Sequence, residues 1–186
     1  MISQAFSLNA YKVLSLFSLS PGSRFGRKEI KEKTLLNNRP LDVTLARLVN
    51  SGFLIRERRL YSLNFGNDDA KRLVDVLGKE YRRMREIPFG IYMIVLDMEH
   101  AVSAYPGTEA WLFGSYAKLV YREGSDIDMA VLTREKYRKE IQRAASRIEK
   151  SYGKNIELHF LEKNGFYSNK KDPLVKDILK NGIRIV

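Results

Sequence analysis

Cysteine is absent from this chain, which excludes disulfides, thiolate metal sites and cysteine nucleophiles and suits a reducing compartment. Histidine is nearly absent, with 2 residues, His100 and His159. The sequence therefore offers neither a His/Cys metal cluster nor a Ser-His-Asp arrangement. No stretch approaches the roughly 18 to 20 consecutive apolar residues that span a bilayer, and the N-terminus lacks the basic-then-apolar order of a signal peptide. The expectation is a cytoplasmic protein with no membrane partner. Proline is scarce, 5 residues in 186, and it falls at segment ends, where it acts as punctuation.

Positive charge is abundant. The net charge is +11, and it is unevenly placed: residues 1–66 carry 11 Lys and Arg against 4 Asp and Glu, residues 67–105 carry 6 against 7, and residues 106–186 carry 16 against 11. The first third is the most basic part for its length, so a polyanion such as DNA or RNA is the natural partner for it.

The densest chemistry lies further on. Trp111-Leu112-Phe113-Gly114-Ser115 reads as a buried strand ending in a Gly-Ser turn, and after a polar excursion Asp126-Ile127-Asp128-Met129-Ala130-Val131-Leu132 reads as a second buried strand. Strand side chains alternate, so Asp126 and Asp128 are expected on one face with Ile127, Met129 and Val131 on the other. Close carboxylates repel unless a cation sits between them, and hard oxygen ligands suit Mg²⁺ or Mn²⁺ bridging a triphosphate. Gly114 lets a phosphate approach the main chain, while the Ser115 hydroxyl and nearby amides can donate to it.

Gly-Ser, ten intervening residues and Asp-x-Asp resembles the signature of the minimal nucleotidyltransferases of the DNA polymerase beta superfamily. The resemblance covers roughly residues 106–186. It implies that Asp126 and Asp128 bind metal and position a nucleoside triphosphate, ATP being the expected one, with a third acid from a later strand. Glu157, in Asn155-Ile156-Glu157-Leu158-His159-Phe160-Leu161, is the candidate, although the family more often has Asp there. His159 shares its face and is a candidate nucleotide or supporting contact. After the turn, family members often have a small residue and an arginine-glycine pair. Here Tyr116-Ala117-Lys118-Leu119-Val120 follows, and Lys118 is the candidate phosphate contact, as a point charge rather than a planar fork. The catalytic and metal set expected is thus Asp126, Asp128 and Glu157, and the nucleotide-binding set Gly114, Ser115 and Lys118.

The N-terminal third has its own pattern. Helical spacing predicts helices over Ala10–Leu19, Arg27–Lys33 and Leu41–Asn50, and Phe53–Arg56 with Leu60–Asn64 predicts a β-hairpin about a basic turn. Three helices and a hairpin resemble a winged helix-turn-helix. That resemblance implies that the third helix enters the major groove and that the wing lies on the backbone. Arg39, Thr44, Arg47 and Asn50 would then face DNA, with Arg58 and Arg59 at the wing tip.

A helical connector follows, with one helix from Asp68-Asp69 to about Glu86 and another from Phe89 to Ala104. The first is a candidate rigid strut or dimer arm. Beyond the acidic strand come a helix over Arg134–Tyr152, the Glu157 strand, a helix opened by Asp172-Pro173 and a terminal Ile183–Val186 strand. The fold class expected is α+β: a winged helix domain over residues 1–66, a connector over 67–105 and a nucleotidyltransferase fold with a short mixed sheet over 106–186. The function expected is metal-dependent transfer of a nucleoside monophosphate from an NTP to an acceptor hydroxyl, coupled to DNA binding. The chain leaves little room for a domain that holds an acceptor, so a protein or RNA acceptor in trans, or a second copy in a homodimer, is expected. The alternative is a DNA-binding regulator or antitoxin-like protein whose C-terminal part only senses nucleotide or docks a partner.

Overall fold

A computed structural model describes residues 7–186. The chain divides into two compact units, residues 1–93 and 94–186.

In the first unit, α1 (Leu8–Leu19) starts at Ser7, whose side chain accepts from the Ala10 N–H. Its Val13, Leu14 and Phe17 are fully buried. A three-residue strand, β1 (Arg24–Gly26), leads into α2 (Arg27–Thr34), where the Glu29 carboxylate reaches back to the Gly26 N–H. Then come α3 (Asn38–Asn50), β2 (Leu54–Glu57) and β3 (Leu60–Leu63). The hairpin β2–β3 pairs Leu54 with Leu63 and Glu57 with Leu60, and β1 adds to the other edge of β3, giving the antiparallel order β1-β3-β2. That third strand was not anticipated, because three residues are too few to show a period. Apolar residues at 41, 45 and 48 fix the inner face of α3 against α1.

Next, α4 (Asp68–Arg83) is capped by Asn67, whose side chain accepts from the N–H groups of Asp69 and Ala70. That cap contributes about 1 kcal/mol. The helix packs on α1 through Ala70, Val74 and Leu77. The Tyr11 hydroxyl donates to Glu80 and meets the Tyr92 hydroxyl at 3.0 Å. Tyr92 belongs to α5 (Phe89–Ser103), the helix inside which the division between units falls.

The second unit is built on a four-stranded mixed sheet. Its elements are β4 (Glu109–Leu112), the one-turn helix α6 (Gly114–Ala117), β5 (Ile127–Leu132), α7 (Glu135–Tyr152), β6 (Ile156–Leu161), α8 (Lys163–Ser168), α9 (Pro173–Asn181) and β7 (Ile183–Arg184). The strand order is β6-β5-β4-β7, with β5 and β6 parallel and the other pairings antiparallel. The parallel pair needs a crossover, and α7 supplies it. Gly153, at φ 63°, ends α7 in the left-handed conformation that glycine adopts without cost.

One sheet face sets the site. Ala130 and Leu132 of β5 join Phe113, Phe166, Val175 and Ile178 in a core under α8 and α9, with Trp111 and Leu161 against it. Asp172 caps α9 through the Leu174 and Val175 N–H groups, with Pro173 in the first turn. Because side chains alternate along a strand, Asp128 belongs to the same face as Ala130 and Leu132, at the end where the core stops.

Candidate active site

Parallel pairing decides which acids meet. Asp128 is the register partner of Glu157, and Ala130 that of His159. The two carboxylates therefore stand side by side on adjacent strands, and His159, two residues beyond Glu157, shares their face. The ligand atoms of Asp128, Glu157 and His159 all lie within 4.8 Å of one another. His159 Nε2 is 3.2 Å from Glu157 Oε1, and its ring meets Phe113 edge to face at 5.2 Å.

The Gly-Ser turn closes on the same point. The Phe113 N–H donates to the Asp128 carbonyl at 3.0 Å, which brings the start of α6 against β5. Gly114 has φ 67°, and a Cβ built there would lie 1.9 Å from Asp128 Oδ2. Both the backbone angle and the space require glycine. The Ser115 backbone N–H donates to the Asp128 carboxylate.

The Asp128 carboxyl is pushed above its ordinary value, first by burial and then by the charge of Glu157. His159 and the Ser115 N–H work against that rise, and Asp126 adds to it. The group is thus a half-buried carboxylate with acidic neighbours. Two carboxylate donors and an imidazole with ligand atoms this close fit a divalent cation, which would relieve the repulsion; the carboxylates suit Mg²⁺ or Mn²⁺, and the imidazole favours transition metals.

Asp126 stands apart from this group. It lies one residue ahead of β5 and is exposed, and the cluster within 4.8 Å does not include it. Its effect on Asp128 is through charge. Lys118 is also drawn elsewhere, since its Nζ lies 2.8 Å from Asp177 Oδ2 on α9. Hydrogen bonds from Lys118 and Asn181 hold the Asp177 carboxyl below its usual range. A cavity of about 770 Å³ lies at the opposite end of β5, lined by Leu132, Thr133, Arg138 and Lys163 among others. None of the acids named from the sequence lines it.

The first unit has basic residues of its own. Arg39, Arg47 and Asn50 are exposed on α3, and Arg58 and Arg59 are exposed at the β2–β3 turn, where Arg58 has φ 57°. Thr44 is a correction: at 5% exposure it is buried on the inner face of α3 beside Leu41, Leu45 and Leu48, one helical turn from two of them. It has no surface to offer a ligand. Val43 is the outward neighbour, at 53% exposure.

Sequence reasoning gave His159 a secondary place, and the structure puts it in the acidic group. The signal was its two-residue spacing from Glu157. The tie between Lys118 and Asp177 had no such signal, because the partners are far apart in sequence.

A family model described as a nucleotidyltransferase domain matches residues 98–185. That stretch holds the Gly-Ser turn, both aspartates, Glu157 and His159. A search of curated proteins found no match. Among the described residues no helix is long and apolar enough to cross a membrane.

Proposed function

We propose that the second unit transfers a nucleoside monophosphate from an NTP to an acceptor hydroxyl in a metal-dependent reaction. The observation that carries this reading is the placement of Asp128 and Glu157 as register partners against the Gly114-Ser115 turn. Asp128 and Glu157, with Asp126 at the edge of the site, would hold the divalent ion. When bound, such an ion would neutralise triphosphate charge and polarise the phosphoryl group whose phosphorus is attacked. The turn would receive the phosphates, with the Ser115 hydroxyl as a donor to them. Glu157, exposed beside Asp128, orients the acceptor hydroxyl and receives its proton as the oxygen bonds to the α-phosphorus and pyrophosphate leaves. No covalent enzyme intermediate is needed, because positioning and charge neutralisation supply most of the rate in such transfers.

The acceptor is read as a macromolecule supplied in trans, a protein or an RNA end. Labelled NTPs incubated with the chain and Mg²⁺ or Mn²⁺, with and without host extract, test this. Label in a discrete macromolecule with the parent and not with Asp128→Ala supports the reading. Equal labelling by both sinks it.

A second function rests on the exposed basic set of the first unit. Arg39, Arg47 and Asn50 on α3 and Arg58 and Arg59 on the hairpin turn support a winged helix that binds duplex DNA, α3 in the major groove and the turn on the backbone. Each phosphate neutralised contributes about −0.9 to the log-log salt slope, so replacing Arg58 and Arg59 with Ala should flatten it by about one to two. Binding that ignores salt would exclude this role and leave the first unit as a protein-docking module.

A further inference from the structure

The segment between the Gly-Ser turn and Asp126 is unusual for a protein surface. Leu119, Val120 and Tyr121 are consecutive, apolar or aromatic, and 50%, 67% and 41% exposed. Contiguous exposed apolar residues mark a contact site more often than chance. Leu119 also holds φ 58°, a left-handed conformation costly for a residue with a branched side chain. The surrounding hydrogen bonds sustain it. The Val120 N–H donates to the Ser115 carbonyl at 3.0 Å, the Leu119 N–H to the Tyr116 carbonyl at 3.2 Å, and the Arg122 N–H to Ser125 Oγ at 2.8 Å. The loop is therefore fastened both at the turn and just before the first aspartate.

What this loop displays is an aromatic ring. Tyr121 stacks on Tyr116 with centroids 4.9 Å apart and planes 18° from parallel. Tyr116 is the buried foundation, 3% exposed, with its hydroxyl 3.4 Å from the Ser125 carbonyl and Lys154 Nζ 5.6 Å from its ring centroid. One face of Tyr121 is thus packed on a fixed ring, while the residue as a whole is 41% exposed. Arg122, the next residue, is exposed.

We propose that Tyr121 is a stacking platform for a nucleobase and so a specificity-determining residue of this site. The inference rests on the nucleotidyltransferase reading above. A rigidly backed aromatic face that follows a phosphate-directed turn, with Arg122 next in the chain and Lys154 over the backing Tyr116 ring, suits a base attached to a phosphate chain better than it suits an aliphatic or peptide partner. The base can belong to the NTP or to the 3′ end of an RNA acceptor, and the two sources share this chemistry.

Equilibrium binding to the full chain with Mn²⁺ tests the platform, using a non-hydrolysable NTP, inorganic tripolyphosphate and a short single-stranded RNA. If the NTP base stacks there, Tyr121→Ala weakens the NTP about five- to a hundredfold, leaves tripolyphosphate unchanged, and Tyr121→Phe restores the parent affinity. If the acceptor base stacks there, the RNA loses affinity by a similar factor while the NTP does not. Unchanged affinity for both overturns the proposal, as does an equal loss of tripolyphosphate. Asp128→Ala separates the underlying reading. If that variant keeps the parent's Mn²⁺-dependent tripolyphosphate binding, the metal site is misassigned, whereas loss there with no effect of Tyr121→Ala removes the platform alone.

Discussion

Glu109 and Asp128 lie on the same face of adjacent strands, at opposite ends of the β4–β5 pair, and their surroundings treat them in opposite ways. Glu109 is buried at 6% exposure, yet Lys163 and Arg184 form ion pairs with it and Tyr167 donates a hydrogen bond. Burial alone would raise its carboxyl, but those partners together hold it below the usual range. Asp128 is less buried, and its carboxyl is raised, by burial and by Glu157. A carboxylate kept for the fold is given cations, because an unpaired buried charge is expensive. One left among other carboxylates costs stability, and that is the pattern of a site whose counter-charge arrives from outside.

The contrast breaks most sharply in turnover. Asp128→Asn should lower nucleotide transfer at least about a thousandfold, since it removes a group worth several kcal/mol to the transition state. Glu109→Gln, assayed below its unfolding temperature, should stay within about twofold of the parent. Single-turnover labelling measures both. A Glu109 variant as inactive as the Asp128 variant would show that the two ends of the sheet are not separable.

In stability the order reverses. Glu109→Ala removes a buried carboxylate that Lys163, Arg184 and Tyr167 all address, and losing its charge-assisted hydrogen bonds costs about 1.5 to 3 kcal/mol. Trp111 is the single tryptophan and sits on β4 with its ring 6.2 Å from Phe166. Its emission therefore reports unfolding of the second unit. The midpoint seen by Trp111 should fall by about 10 °C or more. A fall of a degree or two would mean that Glu109 is ordinary surface.

Gly114→Ala sharpens the comparison without touching either acid. The new methyl would occupy the place of the Asp128 carboxylate, 1.9 Å from Oδ2, so that carboxylate must move. A misplacement of about 1 Å can cost a hundredfold in rate, and transfer should fall by about that factor. Parent-like turnover would mean that Asp128 need not hold its observed position.

The elements were legible in the sequence wherever they were long enough to show a period. Leu41, Leu45 and Leu48 announced α3, Asp172-Pro173 announced α9, and the run from Ile127 to Leu132 announced β5. The same logic failed for β1, α6 and α8, which have 3, 4 and 6 residues. Thr44 was misread because a polar residue on a helix was assigned outward, although its spacing from Leu41 and Leu48 puts it inward. The grouping of the candidate residues was legible in part. Gly114, Asp128 and Glu157 come together in the structure as the resemblance implied, while Asp126 stands outside the closest group and His159 stands within it. Strand register, not composition, decides that, and a register between distant segments leaves no local mark. The compensation of Glu109 by α8 and β7 was invisible for the same reason.

The smallest expected effect separates the two acids by the sign of their pH dependence. Glu109 has a lowered folded-state pKa, so its contribution is present above the unfolded-state value and is lost as pH falls through the folded one. Asp128 has a raised pKa, so its ionisation opposes folding: the cost is absent where the group is protonated in both states and complete above its folded pKa. In metal-free protein at pH 7, Asp128→Asn should therefore raise the Trp111 midpoint, by about a few degrees at most. That gain should shrink toward zero as pH falls below the ordinary carboxylate value of 3.8. Adding Mn²⁺ at pH 7 should reverse the order of the two proteins, because the ion binds the folded parent and finds one ligand fewer in the variant. Thermal melts at two pH values, with chelator and with Mn²⁺, measure all of this. A metal-free Asp128→Asn variant less stable than the parent at pH 7 would mean that the carboxylate is held by the fold as Glu109 is, and would remove the electrostatic ground for placing the active site at that end of the sheet.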